Sequence, residues 1–258
     1  MIKKVIGFIC LTVLLIVSIF ALWVSTKYTV PIMMYHNVDY TEKQEANWVS
    51  PERFETHMAF LEDHHYDVIS FSDFIEAKKS GKKLSRKTVV ITFDDGYDNN
   101  YTYALPVLRK HNLPAILFMP SARIDKEGHL TLAQLQEMMN SGIEIGSHGR
   151  NHEYLPDKPL SFQKDEIFLS KKELGAALNT NIMYFAYPIG GFSDEIIRMV
   201  REAGYDAAAT TNRGYDRFND DLYELNRIRF SDKDNSDMIL RAKLSGYYNL
   251  FRGLKNPN

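Results

Sequence analysis

Cysteine is almost missing from this chain of 258 residues: the one present, Cys10, lies in an apolar N-terminal run. The rest of the chain therefore has no disulfide and no thiolate nucleophile, and cysteine usage says nothing about compartment. Charge imbalance is missing too. Lys and Arg number 31 against 33 Asp and Glu, a formal net charge of -2, which gives no electrostatic footing for nucleic acid. There is no low-complexity tract and no internal repeat. Hydrophobic residues at 45% and charged residues at 25% exclude a disordered chain and fit a globular enzyme.

One stretch lacks charge altogether. Val5 to Val24 is a largely apolar run with no charge in it and follows Lys3 and Lys4. About 20 such residues cross a bilayer as a helix, and the lysine pair keeps its own end cytoplasmic. The sequence divides accordingly into a cytoplasmic stub and transmembrane anchor over 1–27 and one folded domain over 28–258, single-pass in the cell membrane with the domain extracytoplasmic. The alternative is a cleaved signal and a secreted protein. The run is long for a signal, and no small-x-small site precedes Lys27. The residues before Cys10 are a poor lipoprotein site.

Beyond Pro31, short apolar runs alternate with amphipathic segments. Strands are expected at Val30–Tyr35, Val68–Ser70, Thr88–Phe93, Ala115–Met119, Ile143–Gly146, Ile182–Ala186, Ala207–Thr211 and Leu225–Phe230, several of them apolar on both faces. Helices are expected from Ser50-Pro51 to about His64 and over Ser72–Lys79, Asn100–His111, Leu132–Asn140, Phe162–Leu178 and Asp194–Ala203. The tail after Gly253 reads as frayed. The alternation implies an α/β fold with parallel strands and crossover helices, as an open sheet or a barrel.

Three segments carry chemistry, each at a strand end, where ligands bind in such sheets. In Thr92-Phe93-Asp94-Asp95-Gly96, two adjacent carboxylates would repel unless a cation relieved one of them; a solvated Asp-Asp-Gly turn is the plain reading. In His148-Gly149-Arg150-Asn151-His152, two imidazoles flank a short turn and can meet one ion. With one carboxylate they make three protein ligands and leave a position for water; two surface histidines are the plain reading. In Phe185-Ala186-Tyr187-Pro188-Ile189-Gly190-Gly191, proline and glycines fix a turn whose N–H groups could hold an oxyanion, or which simply joins strand to helix.

Taken in this order, the three segments resemble the motifs of the NodB-type polysaccharide deacetylases, carbohydrate esterase family 4. Pro31-Ile32-Met33-Met34-Tyr35-His36-Asn37-Val38 resembles the opening strand of the branch acting on poly-N-acetylglucosamine and related cell-wall polymers. The likeness runs from about Val30 to Phe230. It implies a distorted (β/α) barrel of seven or eight strands behind one N-terminal transmembrane helix. It implies hydrolysis of N-acetyl groups from an acetylated extracellular polysaccharide, with release of acetate. It assigns Asp94 as general base, Asp95, His148 and His152 as ligands of a divalent metal, and the N–H near Ile189 as oxyanion donor. The metal would be Zn2+, with Co2+, Mn2+, Ni2+ or Fe2+ as alternatives on the same donors. Tyr97, Tyr187 and Pro188 are expected to contact substrate, with packing as the plain reading of Tyr97 and of Tyr101. Membrane and glycan are the expected partners; no nucleic acid and no obligate protein partner is expected.

The chain departs from the family pattern in three places. Gly149 stands where Ser or Thr is usual. Ala186 stands where an arginine often orients the base, and Arg227 is the candidate replacement from a later strand. No histidine follows His152, so the family's late Leu-x-His acid is absent; His36 is the candidate acid, since an imidazole titrates near neutrality. Among the remaining histidines, His57, His64 and His65 read as solvated, His111 as ending a helix, and His129 as unassigned. Competing readings are an O-acetyl xylan esterase, another amide hydrolase on this fold, and a catalytically impaired relative that binds glycan.

Overall fold

Strands that are apolar on both faces can only sit inside a protein, and here they form the wall of a barrel. The computed structural model describes residues 2–40 and 46–258. In chain order the elements are α1 (Ile2–Ser25), β1 (Ile32–Tyr35), β2 (Asn37–Val38), β3 (Trp48–Val49), α2 (Pro51–Asp63), β4 (Asp67–Val68), α3 (Phe71–Ser80), β5 (Thr88–Phe93), α4 (Leu105–Lys110), β6 (Ala115–Met119), α5 (Leu132–Asn140), β7 (Ile143–Ser147), α6 (Leu160–Leu178), β8 (Tyr184–Ala186), α7 (Asp194–Glu202), β9 (Ala207–Thr210), β10 (Leu225–Asn226), β11 (Ile228–Arg229), α8 (Asp237–Lys243) and α9 (Tyr248–Phe251).

The main sheet runs β10-β9-β8-β7-β6-β5-β1-β11, with β4 beside β5. Every pairing is parallel. Strands β10 and β11 are consecutive in the chain, separated by Arg227 alone. Leu225 and Asn226 pair with Ala209 and Thr210 of β9, whereas Ile228 and Arg229 pair with Met33 and Met34 of β1. The eight strands thus make a nearly closed barrel whose seam lies at Arg227. The expected single strand Leu225–Phe230 is broken there because it serves two neighbours.

Side chains alternate across a strand, and this alternation sorts the core. Ile32, Val90, Ile116, Phe118, Ala186, Ala207, Ala209 and Leu225 belong to one buried cluster with Phe71 and Phe74 of α3. Met33, Tyr35, Ile91, Phe93, Leu117 and Ile145 belong to the other, against the helices. Phe71 meets Phe118 and Tyr184 edge-on at 5.7 Å and 5.0 Å and closes one end of the barrel. Continuing the same alternation from Val90 through Thr92 reaches Asp94. From Ile32 through Met34 it reaches His36, and from Leu225 it reaches Arg227 and Arg229. The period of two therefore delivers these polar residues to the opposite, carboxyl end.

The caps follow the sequence. Ser50 accepts from Arg53 N ahead of Pro51 in α2, and Thr131 and Gln134 form a reciprocal capping box on α5. The helix expected over Asn100–His111 begins with a wider π turn, Asn100–Ala104, before α4. Two expectations are corrected. The tail after Gly253 is docked: Lys255 N donates to Asn212 O at 2.8 Å, and Phe192 N to Pro257 O at 2.9 Å. His57 is buried rather than solvated, 1% exposed. Its Nε2 donates to Asp234 O at 2.8 Å and its Nδ1 faces the Tyr35 hydroxyl at 3.0 Å. Burial pushes its pKa down to about 4 against the pull of Asp234, so it is neutral. Helix α1 stands apart, with none of Phe8–Ser25 buried.

Candidate active site

Strand β5 presents Asp94 to the barrel interior, its N–H bonded to Tyr35 O at 3.0 Å. The carboxylate is 2% exposed and makes a two-pronged ion pair with Arg227, Nη1 to Oδ1 at 2.6 Å and Nη2 to Oδ2 at 2.7 Å. Arg227 is itself 0% exposed, and two further donors are used: Nε donates to Thr210 O at 2.9 Å, and Nη1 also to Thr92 Oγ1 at 3.1 Å. Burial works to raise the Asp94 pKa, but Arg227 and His148 more than offset it and hold the carboxyl below the usual range. Arg227 thus supplies the charge beside Asp94 that Ala186 cannot.

The neighbouring carboxylate turns the other way. Asp95 has φ 71°, followed by Gly96 at φ 68°, so the chain reverses sharply after β5. A Cβ on Gly96 would lie 2.0 Å from Met119 Sδ, which leaves glycine alone able to fit. The reversal brings Asp95 Oδ1 to 3.0 Å from His152 Nε2 and 3.4 Å from His148 Nε2. One donor atom from each of the three side chains lies within 4.8 Å of the other two.

The donor set fits a divalent cation. Asp95 Oδ1 is buried yet has no hydrogen-bond partner, although two ring nitrogens are close to it. Atoms placed so near without bonding one another are aimed at a common point between them. His148 Nδ1 donates to Ala186 O at 2.7 Å, which leaves its Nε2 with a free lone pair; ligating histidines are regularly held in this way. Two imidazoles and one carboxylate suit zinc and several other divalent ions.

The loop that carries both histidines is fixed from α6. Glu166 is 1% exposed, and its Oε2 accepts from Arg150 N at 2.9 Å and Asn151 N at 2.8 Å; Oε1 accepts from Asn151 Nδ2. A Cβ on Gly149 would meet Glu166 Oε2 at 3.1 Å, and Gly149 has φ 73°. The side chain usual at that position is thus replaced by a carboxylate reaching in from a helix. Sequence reasoning missed Glu166. Its signal was a polar series, Gln163, Glu166 and Ser170, on the face of α6 that also buries Ile167 and Leu174.

His36 is 8% exposed at the end of β1, and its Nδ1 is buried without a partner. Burial lowers its pKa against the pull of Asp94 and Asp95. Asn100 Nδ2 donates to His36 O at 2.7 Å, and Asn99 bonds Asn37 Oδ1 at 2.9 Å and Val38 N at 3.2 Å. These asparagines, also missed, hold the corner that turns His36 toward the aspartates. Ile189 is 50% exposed at φ 58°, and its N–H has no acceptor among the described hydrogen bonds. Tyr97 is half-buried at the rim, stacked 5.5 Å from His129. Burial and then the Asp95 charge raise its pKa. Tyr101 instead donates to Glu137 on α5.

Two expected substrate contacts are corrected. Tyr187 is 0% exposed, its hydroxyl donating to Tyr223 O at 3.0 Å and its ring packed on Phe185 and Phe192. Pro188 is buried against the Gly149 turn. Both side chains are buried and shape the loop from beneath rather than lining an open surface.

Comparison with known proteins agrees with this geometry. The polysaccharide deacetylase family profile matches residues 81–208, which include Asp94, Asp95, His148, His152 and Ile189 but neither His36 nor Arg227. YxkH of Bacillus subtilis, assigned to the polysaccharide deacetylases, is 33% identical over 211 residues, 81% of this chain and 75% of that protein. A poly-β-1,6-N-acetyl-D-glucosamine N-deacetylase of Staphylococcus aureus is 25% identical over 207 residues, 75% of this chain and 71% of that protein. The structure of the Streptococcus pyogenes deacetylase PplD with acetate superposes with a TM-score of 0.73 at 29% identity, covering 79% of this chain and 92% of that one. The chain belongs to the polysaccharide deacetylase family and is a hydrolase of N-acetyl amide bonds.

Proposed function

We propose that this protein removes N-acetyl groups from an N-acetylglucosamine-containing polysaccharide outside the cell, using a divalent cation, most simply zinc, held by Asp95, His148 and His152. The observation that carries the reading is the contrast between adjacent aspartates: Asp95 turns to two histidines, while Asp94 is held charged by Arg227. A cation at the three donors would polarise the acetamide carbonyl and acidify water. Asp94 takes the proton of the attacking water as its oxygen bonds the carbonyl carbon. The oxyanion that forms accepts from the Ile189 N–H. His36, in the imidazolium form that burial disfavours but the Asp94 and Asp95 charges favour, gives its proton to the departing amine as the carbon–nitrogen bond breaks, since an amide anion is too poor a leaving group to depart alone. Acetate and a free amino sugar result. Tyr97 at the rim offers an aromatic face to a sugar ring.

The anchor reading rests on Phe8–Ser25, mean hydropathy 2.7, with Lys3 and Lys4 ahead of it. It places residues 1–27 at the membrane and 28–258 beyond it, where the polymer would be met.

The test is acetate release from N-acetylglucosamine oligomers and from acetyl-xylan, with and without chelator. The N-acetylated oligomer alone should release acetate, and chelator should stop it. Asp94→Asn should lower turnover about a hundred- to ten-thousandfold, the size of general-base contributions, while metal content stays at the wild-type level. Full activity in that variant removes Asp94 as the base. Release from acetyl-xylan instead would make the protein an esterase.

A further inference from the structure

Beside the proposed catalytic residues lies a polar cavity of about 310 Å³, whose walls carry Arg229, Arg252, Lys243, Lys233 and Lys255. Arg229 follows Arg227 by two positions, so it shares the inward face and stands about 7 Å further along the strand. Its charge is felt at His36, and the charges of Asp94 and Asp95 are felt at Arg229. The cavity therefore adjoins the place where the acetamido group would react.

Its cations are poorly matched. Asp234 is the one carboxylate among the described lining residues, and it is taken by Lys243 and by Ser231 N. Among the described residues no carboxylate lies within ion-pair distance of Arg229, Arg252, Lys233 or Lys255. Arg229 Nε is buried with no hydrogen-bond partner among the described residues. Arg252 is held by a backbone oxygen, Nη1 to Arg227 O at 2.6 Å, and Lys243 Nζ donates to Arg229 O at 2.7 Å. Burial lowers the pKa of Arg229, Arg252 and Lys243, and the Arg229 charge pushes the last two down further. Holding unpaired cations together, partly out of water, is unfavourable for the fold alone. It becomes favourable when an oxyanion enters, since guanidinium donors bind phosphate and carboxylate through charge-assisted hydrogen bonds.

We propose that this cavity is a subsite for an anionic group, phosphate or carboxylate, carried on the sugar next to the one being deacetylated, so that the protein prefers an anionic glycan to a neutral one. The proposal rests on the deacetylase reading above for its substrate. Acetate release by the full chain in detergent is compared on three substrates: a neutral N-acetylglucosamine pentamer, the same pentamer bearing a 6-phosphate, and an oligomer bearing carboxylates. The expected result is a KM about tenfold lower for one or both anionic substrates, equivalent to about 1.4 kcal/mol, shrinking as salt is added. The arm that responds identifies phosphate or carboxylate. In Lys233→Gln with Lys255→Gln, and separately in Arg229→Gln, the ratio of anionic to neutral KM should move toward one. Equal KM for all three substrates on the wild type overturns the proposal. Were no substrate turned over, the deacetylase reading would be at fault. Calorimetric titration with the phosphorylated pentamer would then decide the subsite: binding weakened about tenfold in the double lysine variant upholds it, and unchanged binding rejects it.

Discussion

A carboxylate sealed inside a protein keeps its charge only when something opposite holds it, and at Asp94 that partner is Arg227, 0% exposed and bonded through both terminal nitrogens. Removing one partner of such a pair leaves an uncompensated buried charge, which costs about 3–5 kcal/mol. Arg227→Met should lower stability by that amount in denaturant unfolding, and Arg227→Lys should recover only part of it, because an ammonium cannot reproduce the two-pronged contact. Glu166 acts at one remove. It touches no donor atom of the candidate cation site, but it accepts the Arg150 and Asn151 N–H groups of the turn between His148 and His152. Glu166→Ala should weaken metal affinity and turnover about 10- to 100-fold, the usual effect of losing a group that orients ligands. Metal content by direct assay separates this from unfolding. Asp94, Asp95, His148 and His152 were legible as candidates in the sequence because they stand in the turns just after two apolar strands, in an unusual polar pattern. Glu166 was illegible as a partner of that turn, since a mid-helix glutamate looks like any solvated one until the helix is docked.

At the scale of elements, the site is made by three sharp reversals. Asp95, His152 and Ile189 all have left-handed backbones, at φ 71°, 63° and 58°, a region that is uncommon for side-chain-bearing residues and unfavourable for a β-branched one. Strain of this kind gathers where function demands a side chain or N–H in a place that a relaxed turn would not give. Further from the site, α2 and α4 are tied by His111, whose side chain is 7% exposed and lies 2.6 Å from Glu62 and 2.9 Å from Glu55. Burial lowers the His111 pKa, but Glu55 and Glu62 outweigh it and raise the value above 6.5. Lys110 and then His111 draw the Glu55 pKa below 4.5. A raised histidine stabilises fully below its unfolded pKa and loses that contribution as pH rises through the folded one; a lowered carboxylate stabilises above its unfolded pKa and loses it as pH falls. The tie should be strongest between about 4.5 and 6.5, the two unfolded values. Thermal unfolding across pH should show wild type losing stability above that window, and His111→Gln should flatten the alkaline part of the curve.

At the scale of the whole molecule, α1 contributes nothing to the packing of the barrel, since none of Phe8–Ser25 is buried. Deleting residues 1–27 should leave the thermal midpoint within about 2 °C of the full chain, as expected for a change touching no core contact. The protein should also move from the membrane to the soluble fraction. A midpoint lowered by many degrees would mean that the helix packs on the domain. The sequence by itself determined the order of the main strands and helices, the parallel α/β class and the identity of the polar residues near strand ends, because apolar patterning and turn chemistry are local properties written residue by residue; the choice of barrel over open sheet came from the family resemblance. Only the tertiary structure decided what those residues meet. The seam at Arg227 exists because one strand must pair with β9 on one side and β1 on the other. His57 and Tyr187 are buried and the tail is docked because contacts remote in sequence cover them. The turn at Gly149 works without a hydroxyl because a helix more than ten residues on brings Glu166 into its place.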